Sequence, residues 1–133
     1  MSADRDVWYV DTSAVVKLVE PEAETDALVV WLSGRHWVVS DLHRTELRRA
    51  ALRVGNDALA RAEALLSELE VLTLTGVEFD AAGRLGPSSL RSLDALHLAA
   101  ARALGPDLAG IVAYDRRMVE AATQAGVVVA APA

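Results

Sequence analysis

Short apolar runs alternate with longer amphipathic segments along the chain. The runs show no regular alternation of apolar and polar residues, which is typical of parallel strands buried on both faces. We therefore predict an α/β fold, a three-layer α/β/α sandwich with a mostly parallel five-stranded sheet. The predicted strands are Val7–Val10, Trp37–Ser40, Val71–Leu74, Ile111–Tyr114 and Val127–Val129.

Capping residues and the Gly and Pro residues that end helices place the intervening helices. Six of them are predicted at Ala14–Val19, Pro21–Ser33, Asp41–Val54, Asp57–Leu69, Val77–Leu85 and Arg116–Gln124. A further long helix is capped by Ser88 or Ser89 and runs through Leu104. No repeat or linker interrupts the pattern, so residues 1–133 are expected to form a single domain.

Composition narrows the possible functions. Hydrophobic residues make up 53% of the chain, enough for a full core, and the absence of cysteine excludes disulfides and thiolate metal sites. No segment resembles a signal peptide or is long enough to cross a bilayer, so a soluble cytoplasmic protein is expected. The net charge of −6 argues against general coating of nucleic acids, but it allows a carboxylate site that works through bound cations.

Two acids directly follow predicted strands. Asp11 comes immediately after the first strand, and Asp115 comes immediately after the fourth. In open parallel sheets, ligands bind outside the carboxyl ends of the strands, so both acids should lie at the functional edge. The alternative is that each caps the helix that follows it.

Two further acids interrupt the apolar faces of helices. Glu46 lies among Leu42, Ala50 and neighbouring apolar residues at helical spacing, and Asp94 lies among Leu90 and its neighbours in the same way. A carboxylate on a buried face needs a partner. That partner is either a basic residue, such as Arg53 or Arg91, or a metal ion.

Several carboxylates in one place favour the metal ion. Like charges ~4 Å apart repel by roughly 4 kcal/mol at an effective dielectric constant of 20, so a cluster of acids needs a cation among them. Hard divalent cations with oxygen ligands meet that need and support hydrolysis of phosphodiester bonds.

Four segments, in their order along the chain, resemble the corresponding segments of the PIN-domain ribonucleases and, more narrowly, of the VapC toxins of bacterial toxin–antitoxin pairs. They cover nearly the whole chain and are Val10–Ala14, Arg44–Leu47, Leu93–Ala99 and Tyr114–Met118. The resemblance implies that Asp11, Glu46, Asp94 and Asp115 bind Mg²⁺ or Mn²⁺ and cleave RNA endonucleolytically, with transfer RNA or another structured RNA as the substrate. It also implies a homodimer and a cognate VapB-type antitoxin that inserts into the active-site groove. Tyr114 stands where many members of the family have Thr or Ser.

Other polar residues have open roles. Thr12 and Ser13 could bind a phosphate or a water, or simply cap a helix. Arg91, Arg116 and Arg117 either steer RNA phosphates or lie on a solvated face or in a dimer salt bridge. His97 is interpreted as a hydrogen-bonded core residue, and Asp41 as a helix N-cap.

Four alternatives to a nuclease toxin remain at this point. A phosphatase with Asp11 as nucleophile lacks the usual second Asp at position 13 and a phosphate-binding lysine, because Lys17 is the only lysine. A receiver-like signalling module lacks an acidic pair in the first loop and a lysine after the last strand. The same fold could also serve as a binding scaffold without turnover, or as a PIN nuclease that is not a toxin.

Overall fold

Residues 6–133 are described by a computed structural model, and its elements follow the predicted alternation of strands and helices. The strands are β1 Val7–Val10, β2 His36–Ser40, β3 Val71–Leu72, β4 Leu108–Val112 and β5 Val129–Ala130. The helices are α1 Thr12–Val19, α2 Thr25–Leu32, α3 Leu42–Val54, α4 Asn56–Glu68, α5 Gly76–Gly83, α6 Ser92–Arg102 and α7 Arg116–Gln124, with a 3₁₀ turn at Gly105–Asp107. Among these residues, no helix is long and apolar enough to span a membrane.

The five strands form one sheet in the order β3-β2-β1-β4-β5, and every neighbouring pair is parallel. The chain therefore winds outward in both directions from β1. The crevice where the winding reverses, between β1 and β4, is the usual ligand site of such sheets. The predicted α/β fold with a parallel five-stranded sheet is confirmed.

Helices cover both faces of the sheet. Val10 and Val39 point toward a core that also contains residues of α1, α2, α3 and α4. Tyr9, Val38 and Ile111 point the other way and pack against α6 and α7. Because successive side chains of a strand enter different cores, both sets are apolar, which explains the absence of alternation in the sequence.

The long helix begins later than predicted. Neither Ser88 nor Ser89 caps it: a backbone hydrogen bond closes a turn over residues 87–90, and Arg91 is extended with φ −70° and ψ 148°. Helix α6 therefore begins at Ser92, which places Asp94 in its first turn.

The segment between α1 and α2 folds back onto α1. The Thr25 hydroxyl donates to the Lys17 carbonyl at 2.9 Å, so α2 begins at Thr25 and not at Pro21. Lys17 itself is buried, with its ammonium 2.8 Å from Glu24 Oε1 and 4.6 Å from the centre of the Tyr114 ring. Its charge is thus compensated inside the protein.

Candidate active site at the carboxyl edge of the sheet

The loop after β1 is joined to the loop after β4 by one hydroxyl group. Ser13 Oγ donates to Asp11 Oδ2 at 2.7 Å and accepts the backbone N–H groups of Tyr114 at 3.0 Å and Asp115 at 3.2 Å. Asp11 also accepts the Ser13 N–H and so caps α1. Ser13 therefore fixes the position of both strand-end acids relative to each other.

Glu46 reaches this edge from α3 and is paired with a histidine. His97 Nε2 lies 2.5 Å from Glu46 Oε1, and the Thr12 hydroxyl donates to the same oxygen at 2.9 Å. Burial raises the pKa of Glu46, but the hydrogen bonds from His97 and Thr12 outweigh it and hold the pKa below its usual value. The partner of this acid is thus His97, and not Arg53 or Arg91 as the ion-pair alternative supposed.

His97 is the hydrogen-bonded core residue that the sequence predicts, yet it contacts the acids directly. Its side chain is 3% exposed. Its Nδ1 lies 2.7 Å from the Tyr9 hydroxyl and 3.8 Å from Asp11 Oδ1. Burial lowers the pKa of His97, but the hydrogen bond to Glu46 and the charge of Asp11 raise it above its usual value overall. His97 therefore donates Nε2–H to Glu46 whether or not Nδ1 carries a proton.

A buried chain of hydrogen bonds continues behind His97. Tyr9 Oη is 2.9 Å from Ser40 Oγ, and the Ser40 N–H donates to His43 Nδ1 at 3.1 Å. His43 in turn donates Nε2–H to the Val10 carbonyl at 2.7 Å, and burial lowers its pKa to about 4. A neutral His43 thus joins the end of β2 to the end of β1 beside the acids.

Glu46, Asp94 and Asp115 line a pocket of about 330 Å³, together with Arg91 and Arg117. Burial, followed by the charges of Asp115 and Asp11, raises the pKa of Asp94. Asp115 is exposed at the start of α7, and its side chain makes no capping hydrogen bond there. The capping alternative therefore holds for Asp11 but not for Asp115.

The donor set suits a hard divalent cation. In residues 6–133, no three His, Cys, Asp or Glu side chains converge closely enough to enclose an ion by themselves. The nearby charges of Asp115 and Asp11 nevertheless disfavour the ionised form of Asp94, and a bound cation would offset that repulsion. Carboxylate oxygens are the ligands that Mg²⁺ prefers. Because Mg²⁺ retains several waters and needs only one or two carboxylates, this arrangement fits it.

Two of the other candidate residues are engaged elsewhere. Arg116 pairs with Glu120 at 3.1 Å on the exposed face of α7, whereas Arg91 and Arg117 line the acid pocket. Asp41 occupies the N-cap position of α3, as predicted, but its carboxylate makes no capping hydrogen bond: it accepts the Leu74 N–H at 3.0 Å and pairs with Arg44 at 2.9 Å. Thr12 and Ser13 both hold acids through their hydroxyl groups.

Sequence reasoning missed the supporting residues Tyr9, Ser40 and His43. Tyr9 and His43 are fully buried, and the bond between Tyr9 and His97 joins residues 88 positions apart. The one available signal was spacing: Tyr9 lies two residues before Asp11, and His97 lies one helical turn after Asp94. That spacing indicates proximity to the acids but not the hydrogen bonds.

Comparison with known proteins agrees with this geometry. The model of the PIN domain matches residues 8–124. Among curated proteins from Mycobacterium tuberculosis, ribonuclease VapC46 is 45% identical over 125 residues, and ribonuclease VapC47 is 41% identical over 130 residues; each alignment covers 93% of this chain and 96% of the relative. The crystal structure of Mycobacterium tuberculosis VapC20, described as a sarcin–ricin loop cleaving toxin, superposes with a TM-score of 0.74 at 22% identity, covering 94% of this chain and 99% of that one. The chain therefore belongs to the PIN-domain family and, within it, to the VapC ribonucleases.

Proposed function

We propose that this protein is a divalent-metal-dependent endoribonuclease that acts as a VapC-type toxin on structured cellular RNA. The observation that carries the proposal is the acid pocket at the reversal point of the sheet, lined by Glu46, Asp94 and Asp115, where burial and the charges of Asp115 and Asp11 raise the pKa of Asp94. Membership among the VapC ribonucleases supports RNA as the substrate.

In this proposal the four acids have different roles. Asp11, Asp94 and Asp115 would hold Mg²⁺ or Mn²⁺, one or two of them through carboxylate oxygens and the rest through waters bound to the ion. The bound ion would supply Lewis-acid stabilisation of charge on the phosphate. Glu46 would orient a water for in-line attack on phosphorus, since His97 and Thr12 both bind its Oε1 and leave Oε2 available.

The fixed geometry of these groups matters as much as their charge. Ser13 holds Asp11 against the backbone of Asp115, and His97 holds Glu46, so neither acid must be ordered when the substrate binds. Such preorganisation lowers the barrier because little reorganisation accompanies the reaction. We assign Ser13, Thr12 and His97 as positioning residues.

The family also suggests partners. VapC proteins are paired with VapB-type antitoxins, and we propose that this chain is a homodimer neutralised by such a cognate antitoxin. VapC20 carries the description of a toxin that cleaves the sarcin–ricin loop, which is why structured RNA is the proposed class of substrate.

Purified protein incubated with cellular RNA and Mg²⁺ or Mn²⁺ tests the activity. Wild type should produce discrete new RNA ends that chelation by EDTA abolishes, and Asp94→Asn and Asp11→Asn should reduce cleavage at least about a hundredfold. Asp80→Asn, an exposed acid on α5, is the matched control and should cleave normally. Equal cleavage by wild type and Asp11→Asn would refute the assignment.

Controlled expression tests the toxin role separately. Wild type should arrest growth, Asp94→Asn should not, and co-expression of the cognate antitoxin should restore growth. Cleavage in vitro without growth arrest would leave a PIN nuclease that is not a toxin.

A further inference from the structure

A cleft of about 740 Å³ continues from the acid pocket across α6 and α7. Asp94 lines both cavities, and so do Arg91 and Arg117. Farther along the cleft, Arg102 lies on α6 and the apolar side chain of Leu98 forms part of the floor. The cleft therefore leads away from the acid pocket, and its charged lining residues besides Asp94 are three arginines and Glu120.

These three arginines form no ion pair, unlike four of the other arginines in the described part of the chain. Arg44, Arg48, Arg61 and Arg116 each pair with a carboxylate, and Arg35 stacks on Trp31. In residues 6–133, no carboxylate lies within ion-pair distance of Arg91, Arg102 or Arg117. Arg49, Arg53 and Arg84 also form no ion pair, but they do not line the cleft. The cleft lining combines the three arginines with Asp94 and with Glu120, which pairs with Arg116, so a chain of net charge −6 has a small excess of positive charge there.

We propose that this cleft binds the phosphate backbone of the RNA strand on one side of the scissile bond, an inference that rests on the proposed function. Arg91 and Arg117 would bind phosphates next to the site of cleavage, because they line both cavities. A guanidinium group donates two parallel hydrogen bonds to phosphate oxygens, which suits this role.

The helix sets the distance to the third arginine. Asp94, Leu98 and Arg102 are four residues apart and share one face of α6, so Arg102 lies ~12 Å beyond Asp94 at ~1.5 Å per residue. A stacked strand advances ~3.4 Å per nucleotide. Arg102 therefore meets a phosphate about three or four nucleotides from the scissile bond.

Binding of fluorescein-labelled single-stranded RNA in EDTA, followed by fluorescence anisotropy at several salt concentrations, tests this placement. For RNA of about eight nucleotides, the logarithm of the association constant falls linearly with the logarithm of the salt concentration. Arg102→Gln should make this slope less steep by about 0.7, the value for one lost phosphate contact on a single strand. For RNA of about three nucleotides, which cannot reach Arg102, the variant should bind like wild type. Arg102→Lys keeps the charge and should keep the slope.

Arg35→Gln is the matched control, because it removes the same charge just before β2, at the opposite edge of the sheet. It should leave both measurements unchanged. Equal slopes for wild type and Arg102→Gln on the longer RNA would overturn the proposal, and weakened antitoxin binding in the same variant would then reassign the cleft to a protein partner.

The outcomes separate the cleft from the proposed function. If wild type cleaves RNA and Arg102→Gln binds and cleaves RNA identically, the proposal for the cleft is contradicted and the nuclease assignment stands. Wild type that shows the expected salt slopes but no cleavage with Mg²⁺ or Mn²⁺ contradicts the nuclease alone. Thermal denaturation of each variant shows that a changed slope comes from a folded protein.

Discussion

Removing one buried oxygen atom tests the chain of hydrogen bonds behind the acids. Tyr9→Phe keeps the ring, which is fully buried, and deletes the hydroxyl that bonds to Ser40 and His97. Without it, His97 Nδ1 has only Asp11 Oδ1 at 3.8 Å, too far for a good hydrogen bond. A buried polar group left without a partner costs ~1–3 kcal/mol, so we expect a loss of about 2 kcal/mol in the free energy of unfolding.

For a chain of this length, that loss corresponds to a decrease in Tm of roughly 6–10 °C in a thermal denaturation experiment. Tyr114→Phe is the matched control, because the Tyr114 hydroxyl donates to the Pro132 carbonyl at a partly exposed site. It should cost less than about 1 kcal/mol. If Tyr9→Phe is as stable as wild type, or no less stable than Tyr114→Phe, the reasoning is refuted.

Three further predictions concern pH, charge and packing. The folded-state pKa of His43, about 4, lies below its unfolded value of about 6.5, so the unfolded chain binds the extra proton and acid destabilises the fold. Urea denaturation should show that wild type loses roughly 3 kcal/mol of its free energy of unfolding as the pH falls from about 6.5 to about 4. The free energy of unfolding of His43→Gln should depend less on pH, and the same pH dependence for both proteins would contradict this. Asp94→Asn relieves like-charge repulsion, so without metal its free energy of unfolding should match or exceed that of wild type by less than about 1 kcal/mol after solvent screening. Mg²⁺ should raise the Tm of wild type alone, as thermal denaturation would show. Gly110→Ala should cost about 1–3 kcal/mol in urea denaturation, because the new Cβ would lie 2.5 Å from the backbone oxygen of Val128 and 2.6 Å from the Trp8 ring. Gly83→Ala, with open space around it, should be neutral.

The layout of the fold follows from local patterns. A buried parallel strand must be apolar at every position, so β1 and β4 stand out as short apolar runs, and the acid after each run falls at the carboxyl edge. Glu46 stands out for a related reason, since a charged group on an apolar helix face must have a partner. In both cases the physical requirement constrains the types of residues that are close together in the sequence, so the pattern can be recognised from the sequence alone.

What could not be predicted depends on contacts between distant elements. The capping serines before α6 were plausible, but a turn over residues 87–90 and the extended Arg91 displace the start of the helix. His97 as the partner of Glu46, and Ser13 as the link between two loops, require side-chain directions that no local pattern encodes. Three-dimensional packing decides such pairs, so the sequence offered a basic residue or a metal ion as the partner of Glu46 and did not indicate His97.

The burial of Lys17 makes its chemical labelling a measure of local opening of α1. Amine-directed reagents have a single side-chain target in this sequence, and in the folded state its ammonium group is held between Glu24 and the Tyr114 ring. Covalent labelling at that position must therefore wait for α1 to open locally. Because α1 begins beside Asp11 and includes Ser13, the rate of labelling, followed by mass spectrometry, would measure how often the edge of the sheet that carries the acids opens.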